Sequence, residues 1–454
     1  MAEAQAPNPV PTHLVVFKKA SESNAQMLSE SLGDRSPKQE NGVFMFASKG
    51  VRKSSAKYMS RIGVAEIDMT DAEAQAMNAH DDVVAVERNT LMTIPRPIPS
   101  RLGTRSFGAA GPGGSMERRV DLPGDMAGYL RGVRDFADML LGTPGAQFRP
   151  VMPSFPTQGA VGVNQAMTWG LRAIGVPNRP DLTGAGVKVA VLDTGLDMTH
   201  PDFVGRVDVE NTASFVGTPS AQDGHGHGTH CCGTVAGPRQ PSQGPRYGVA
   251  PDVTLLVGKV LSDSGSGFIS QIIDGMNWAA DKGAKIISMS LGSSRNSGEQ
   301  FSRVYESVIK NLADQNVLVV VAAGNDSERP ELIAPVGNPA ACPSAMAVAA
   351  LDENSNVAWF SCGEADGIGE IDISGPGVDV HSSNTGGGYI SWPGTSMATP
   401  HVSGVAAMHV QQDPDLSQAD LRRLLREQAR RLMPESDFGT GLVQVPVNPA
   451  GAYY

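Results

Sequence analysis

Cysteine is scarce in this chain of 454 residues: Cys231, Cys232, Cys342 and Cys362 are the only four, all in the second half. That density excludes a small disulfide-stapled scaffold. Adjacent Cys231 and Cys232 are poorly placed to bridge each other, and a Cys342–Cys362 bridge is left open. Aromatic residues make up 5% and charged residues 18%. No apolar run nears the roughly 18 residues that cross a bilayer, so no membrane span is expected. Positive charge is also short: 36 Lys and Arg against 47 Asp and Glu leave −11. Nucleic acid is therefore not expected as a partner, because phosphate binding needs a basic face. The opening residues, MAEAQAPNPVPTHLVVFKK, lack the basic stretch and apolar core of a secretory leader. The expectation is a cytoplasmic protein on synthesis, with leaderless export to the extracellular space as the alternative. No internal repeat is present.

What the chain does have is 40% hydrophobic residues, 52 Gly and 32 Pro. A length of this order predicts two or three folded units joined by many tight loops. Residues 1–11 read as a disordered tail. Across 12–93, HLVVFKK (13–19), GVFMFAS (42–48), RIGVAEIDM (61–69) and DVVAVERN (82–89) read as strands. Helical patterns at 21–33 and 70–80 complete a β-α-β-β-α-β unit, a small α+β domain of split βαβ type. Order alone leaves open that it is a free-standing binding domain. Residues 94–160 are rich in Pro, Gly and Arg and read as a linker, with an amphipathic helix expected at 125–142. From 161 to 454, VKVAVLD (187–193), VTLLVGKVL (253–261), AKIISMSLG (284–292), VLVVVAAGN (317–325) and SAMAVAALD (344–352) are near-continuous apolar runs. Such runs fit strands buried on both faces, and helical stretches at 268–282, 299–315 and 397–411 separate or follow them. The expected fold is α/β, a doubly wound, mainly parallel sheet with its site at the carboxyl ends of the strands. Ser417 and Asp420 form a capping-box pattern ahead of a surface helix.

Reactive residue types cluster at those strand ends. Asp193 closes VKVAVLD, His227 lies in DGHGHGTHCCGTVAG, and Ser396 lies in GTSMATPHVSG, whose Pro400 is expected in the first turn of a helix. A serine hydroxyl is a poor nucleophile until a base takes its proton, and an imidazole base needs an anion to orient it. Asn325, ending VLVVVAAGN, could donate a hydrogen bond to an oxyanion beside the Ser396 amide. Singly, each residue has an ordinary reading as a turn or helix-start residue; their convergence on one sheet edge does not.

The segments VAVLDTGLDMTHPDF, DGHGHGTHCCGTVAG, SMSLGSS, VAAGN and GTSMATPHVSG, in this order, resemble the motifs of subtilisin-like serine peptidases, the subtilase family. The HGTHC form is nearest the proteinase K-like branch. The resemblance covers about 161–454 and implies a serine endopeptidase with Asp193 orienting, His227 as base and then acid, Ser396 as nucleophile and Asn325 on the oxyanion. It also implies that Ser264, Gly265, Ser266 and Gly267 pair with a bound peptide opposite Ser290, Leu291 and Gly292. Ala322, Ala323 and Gly324 then line the pocket for the residue before the cut, with Asp326 beside it. By position and pattern, 12–93 resembles an inhibitor-type propeptide, which implies a self-inhibited zymogen whose partners are protein or peptide substrates and its own N-terminal domain. A monomer is expected. No cofactor is called for by the chemistry. The residues His225, His227, His230, Cys231 and Cys232 are accounted for by the motif rather than by zinc. Structural calcium is implied at Asp372 with carbonyls near Pro343 and Ala345; Asp202 matches a second calcium ligand, but its usual companion loop is replaced. Two other readings stay open: a narrow-specificity processing protease or peptide cyclase, and a catalytically silent binding module, weakened by the filled catalytic positions.

Overall fold

The five long apolar runs do form the strands of one parallel sheet. A computed structural model of the chain describes residues 10–32, 38–40, 42–47, 55–95 and 167–447. The expected helix at 125–142, nearly all of the linker and most of the N-terminal tail lie outside them.

In the N-terminal region, β1 (His13–Phe17), β2 (Lys38–Glu40), β3 (Val43–Ala47), β4 (Ser55–Met59), β5 (Val64–Ile67) and β6 (Val83–Arg88) form an antiparallel sheet ordered β2-β3-β4-β5-β1-β6. Helices α1 (Ser23–Leu32) and α2 (Asp71–Asn78) accompany it, α2 starting at a Thr70 capping box. The split βαβ core is as expected; β2 and β4 were not foreseen. A further strand, β7 (Leu91–Thr93), leaves this domain.

The larger sheet is built from β8 (Lys188–Asp193), β9 (Thr212–Ser214), β10 (Thr254–Lys259), β12 (Ile286–Met289), β13 (Leu318–Ala322), β14 (Met346–Leu351) and β15 (Ile373–Pro376), with the short β11 (Ser266–Phe268) outside it. Its order is β15-β14-β13-β12-β8-β10-β9, every pair parallel. A hairpin, β16 (Val380–Asn384) and β17 (Gly388–Trp392), follows. The principal helices of this region are α3 (His227–Ala236), α4 (Ile269–Asp281), α5 (Arg303–Ala313), α6 (Thr395–Gln412) and α7 (Gln418–Glu427). Strand residues alternate between two cores. Val189 and Val191 pack with α3 and α6, while Ala190 and Leu192 pack with α4 and α5. That two-sided burial is why the sequence shows unbroken apolar runs. Among the described residues no helix is long and apolar enough to cross a membrane.

The same alternation explains HLVVF. Val15 and Phe17 face the N-terminal domain's own core, whereas Leu14 and Val16, with Met59, Ile62, Val64 and Met92, join the core that contains α4 and α5. Each such side chain contributes about 1.5–3 kcal/mol relative to exposure. The N-terminal domain is thus docked, not free-standing. It also caps both helices: Glu87 accepts from Ser302 Oγ (2.6 Å) and the Arg303 amide (2.7 Å) at α5, and Asn89 Oδ1 accepts from the Ser270 amide (3.0 Å) at α4. Orphan helix amides and the helix dipole both favour these partners.

At the centre of the docked face Glu66 is buried, with Lys57 Nζ 3.6 Å away and Lys57 also bonded to Asp274 of α4. Burial, then the Asp274 charge, push the Glu66 carboxyl well above its ordinary value of 4.5, while Lys57 opposes them. A carboxyl raised in the docked state stabilises docking fully below its free value and loses that contribution as pH rises through the docked value. Docking is therefore expected to weaken from acid towards alkaline pH. Glu66→Gln, which cannot ionise, should flatten the dependence and raise the unfolding midpoint of the full chain above wild type at pH 8. A Gln chain that melts lower than wild type at pH 8 would contradict the assignment.

Candidate active site

Three loops at the carboxyl edge of the large sheet converge. Asp193 is the last residue of β8 and 1% exposed. Its Oδ1 accepts the Thr194 amide (2.7 Å) and the Nδ1–H of His227 (2.8 Å). A carboxylate can only accept, so Nδ1 carries the hydrogen of this bond, and in the neutral imidazole the free lone pair is then on Nε2.

His227 opens α3 directly after Gly226, whose φ of 104° suits glycine. The loop before it is tied by Asp223, which the sequence reading passed over. Asp223 accepts from Thr194 Oγ1 (2.9 Å), the amides of His225 (2.9 Å), Gly226 (3.0 Å) and Thr229 (2.9 Å), and Thr229 Oγ1 (2.7 Å). Burial works to raise its carboxyl, but these donors hold it below the usual range. An acid just upstream of a helix start was the only local signal. The neighbouring imidazoles sit apart from this pairing. His230 is fully buried, its Nε2 2.9 Å from the Val380 carbonyl, and burial lowers it to about 3. His225 is exposed at the surface, and partial desolvation, then the neighbouring His227, lower its imidazole as well.

Ser396 is the second residue of α6. Pro400 lies in the second turn of that helix rather than the first, and it has no N–H to give to the Ser396 carbonyl. That carbonyl is satisfied instead by Ser290 Oγ (2.7 Å) and the Cys231 thiol (3.7 Å). Cys231 Sγ also lies 3.9 Å from His227 Nδ1, so it packs between the two helices that carry His227 and Ser396. Burial pushes this thiol well up, which keeps it protonated. Asp193, His227 and Cys231 do present ligand atoms within 4.8 Å of one another, but a protonated thiol and an engaged carboxylate make a poor metal set. All four cysteines are free and buried.

Asn325 follows β13. Its Oδ1 accepts from the Thr395 amide (3.0 Å) and Oγ1 (2.8 Å), which fixes the side chain with Nδ2 pointing the other way. Gly394 has φ 154°, and a Cβ there would lie 3.5 Å from Asn325 Nδ2 and 3.6 Å from the Ser396 amide nitrogen. Glycine keeps open one small space between two donors. The Ser396 hydroxyl itself donates to the Ser290 carbonyl (3.3 Å), and His227 Nε2 has no hydrogen-bond partner among the described residues.

Beside Ser396, residues 91–94 run as a strand between two edges. On one side β7 pairs antiparallel with β11, and the Ile94 amide donates to Gly265 O (2.9 Å). Gly265 has φ +76°, and a Cβ there would meet Ile94 at 2.9 Å. On the other side Thr93 and Gly292 exchange both main-chain bonds (3.2 and 3.0 Å). A cavity of about 280 Å³ adjoins the strand, lined by Pro95, Gly292, Ala322, Ala323, Gly324 and Asp326 among others. The structure thus brings together the segments 264–267, 290–292 and 322–324 singled out from the sequence.

At the place expected to hold calcium, the protein supplies a cation of its own. Where a cation would bridge Asp372 and the Pro343 carbonyl stands the Arg422 guanidinium, donating to Asp372 Oδ1 (2.8 Å) and Pro343 O (2.8 Å). Asp372 Oδ2 takes the Ala347 amide (2.9 Å), and Arg426 lies 3.5 Å from Oδ1. Asp372, Pro343 and Ala345 therefore do not fit calcium: the charge is already balanced by α7. Asp202 is similarly occupied, accepting from the hydroxyls of Tyr247 (2.6 Å) and Tyr389 (2.8 Å) and the Ser242 amide (2.7 Å).

The larger domain is similar to known proteins. A profile described as the Subtilase family matches residues 184–441. Subtilisin Savinase of Lederbergia lenta is 43% identical over 282 residues, 62% of this chain and 97% of that protein. Alkaline elastase YaB of a Bacillus strain is 42% identical over 297 residues, 65% of this chain and 73% of that protein. The solved structure of sphericase superposes with a TM-score of 0.54 at 36% identity, covering 62% of this chain and 99% of its own.

Removing Arg422 would leave Asp372 buried with only Arg426 near it, a change of the kind that costs about 2–4 kcal/mol. Arg422→Ala should lower the thermal unfolding midpoint by several degrees, and an unchanged midpoint would contradict the ion pair's role.

Proposed function

The chain belongs to the subtilase family and is a serine endopeptidase, and from that premise we propose that Asp193, His227, Ser396 and Asn325 perform the hydrolysis in a chain made as a self-inhibited zymogen. The observation that carries the catalytic assignment is the fixed Asp193–His227 pair beside Ser396 and the two donors facing one space at Gly394. A substrate strand lies between Gly265–Gly267 and Gly292, taking the place that residues 91–94 fill. Its carbonyl oxygen enters the space between Asn325 Nδ2 and the Ser396 amide. Ser396 Oγ turns from the Ser290 carbonyl to His227, gives its proton to Nε2 and attacks the carbonyl carbon. The imidazolium formed is stabilised by Asp193 and returns the proton to the leaving amine; water then hydrolyses the acyl-enzyme by the same route. Protein side chains and main-chain amides supply every group in this sequence.

The self-inhibition reading rests on the docked N-terminal domain, whose outgoing strand fills the groove next to Ser396. A tethered segment acts at very high effective concentration. The substrates are proteins or peptides. Asp326, the one charged side chain among the described residues that line the cavity, accepts from Ser294 Oγ (2.9 Å) and turns a roomy pocket of small residues against acidic side chains.

Asn325→Ala should lower kcat by about 10²–10³, the magnitude known for loss of such a donor in subtilisin, with little change in KM; a loss confined to KM would make Asn325 a binding residue. In a peptide series varied at the residue before the cut, apolar, aromatic and basic side chains should be accepted. Lysine should exceed glutamate in kcat/KM by roughly tenfold, and Asp326→Asn should shrink that ratio. Equal ratios in the two proteins would remove Asp326 from specificity.

A further inference from the structure

The strand that fills the groove ends on a proline, and its register gives that proline a consequence. Thr93 and Gly292 form a pair that exchanges both main-chain hydrogen bonds. In an antiparallel ladder the next such pair lies two residues on along one strand and two residues back along the other, here residue 95 with residue 290. A well-seated strand would donate its amide at 95 to the Ser290 carbonyl. Pro95 has no N–H to donate, so the ladder that holds 92, 93 and 94 stops there. The Ser290 carbonyl takes the Ser396 hydroxyl instead (3.3 Å), while His227 Nε2 goes unpartnered among the described residues. Pro95 itself stays in the groove, half-buried against the cavity walls at Gly292 and Ala322–Gly324.

Building on the self-inhibited zymogen, we propose that Pro95 is a brake on self-processing: it seats the N-terminal strand in the groove as an occupant while withholding the main-chain hydrogen bond that would set its own carbonyl for attack. The reaction so slowed is hydrolysis of the peptide bond on the carboxyl side of Pro95. Ser396 Oγ bonds to the Pro95 carbonyl carbon, the carbon–nitrogen bond breaks, and the Oγ proton passes through His227 to the leaving nitrogen. Water then splits the ester, freeing Ser396 and a fragment that ends in the Pro95 carboxylate. The brake makes occupancy of the groove outlast what an ordinary substrate strand would allow, so the docked chain persists as an inhibited species.

The test uses the full chain as wild type, Pro95→Ala and Pro95→Leu, each also with Ser396→Ala, followed by intact-mass time courses. Both substitutions restore an N–H with different side chains. Each should release a fragment ending at residue 95 roughly tenfold faster than wild type, the effect of one recovered hydrogen bond on a barrier. Wild-type rates in both variants would overturn the brake, as would acceleration by leucine alone, which would assign the effect to pocket filling. Cutting of the variants only at other bonds would overturn the register and leave the zymogen reading standing. Equal cutting in the Ser396→Ala chains would overturn both, because another protease would then be responsible.

Discussion

A carboxylate sealed from water at the end of the central strand β8 constrains everything around it. Asp193 cannot sit there uncompensated, and the partners that compensate it are the Thr194 amide and the imidazole N–H of His227. To deliver that imidazole, α3 must begin at the sheet edge, which requires the left-handed Gly226 and the web of hydrogen bonds around Asp223. To face it, Ser396 must sit at the start of α6, where Gly394 turns the chain and Asn325 anchors Thr395. Pro400 then frees the Ser396 carbonyl for Ser290 and for Cys231, which stands beside the imidazole. Each element is fixed by a neighbour that also belongs to the site.

The N-terminal domain is bound by a different logic. Its sheet has two buried faces, one over its own helices and one over α4 and α5. Its polar residues Glu87 and Asn89 complete helix ends that belong to the larger domain. Those helices carry the sheet side opposite α3 and α6, so docking supports the scaffold while the outgoing strand occupies the groove. Support and occlusion come from one contiguous surface, the arrangement that the proposed self-inhibition needs.

Much of this was legible in the sequence where signals are local. Parallel strands buried on both faces read as apolar runs, and Asp193, His227, Asn325 and Ser396 each follow such a run or open a helix at its edge. What escaped depends on partners distant in sequence. β4 was missed because Lys57 interrupts its apolar pattern, and Lys57 makes sense only beside Glu66 and Asp274, the latter on another domain. The β16–β17 hairpin, VHSSN and GYISW, mixes polar and apolar residues without a clear period. The setting of Asp372 escaped for the same reason: Arg422, fifty positions beyond it, reads in isolation as a surface helix residue. The chain carries its own cation to a place where the resemblance implied a metal.

The central claim is that His227, held by Asp193, activates Ser396 and no other hydroxyl. The most direct measurement is peptide mass spectrometry after exhaustive reaction with a fluorophosphonate. The account predicts a single phosphonyl adduct on Ser396, lost in His227→Ala while the circular dichroism of that chain remains native. An adduct on another serine, or undiminished labelling of Ser396 without His227, would contradict it.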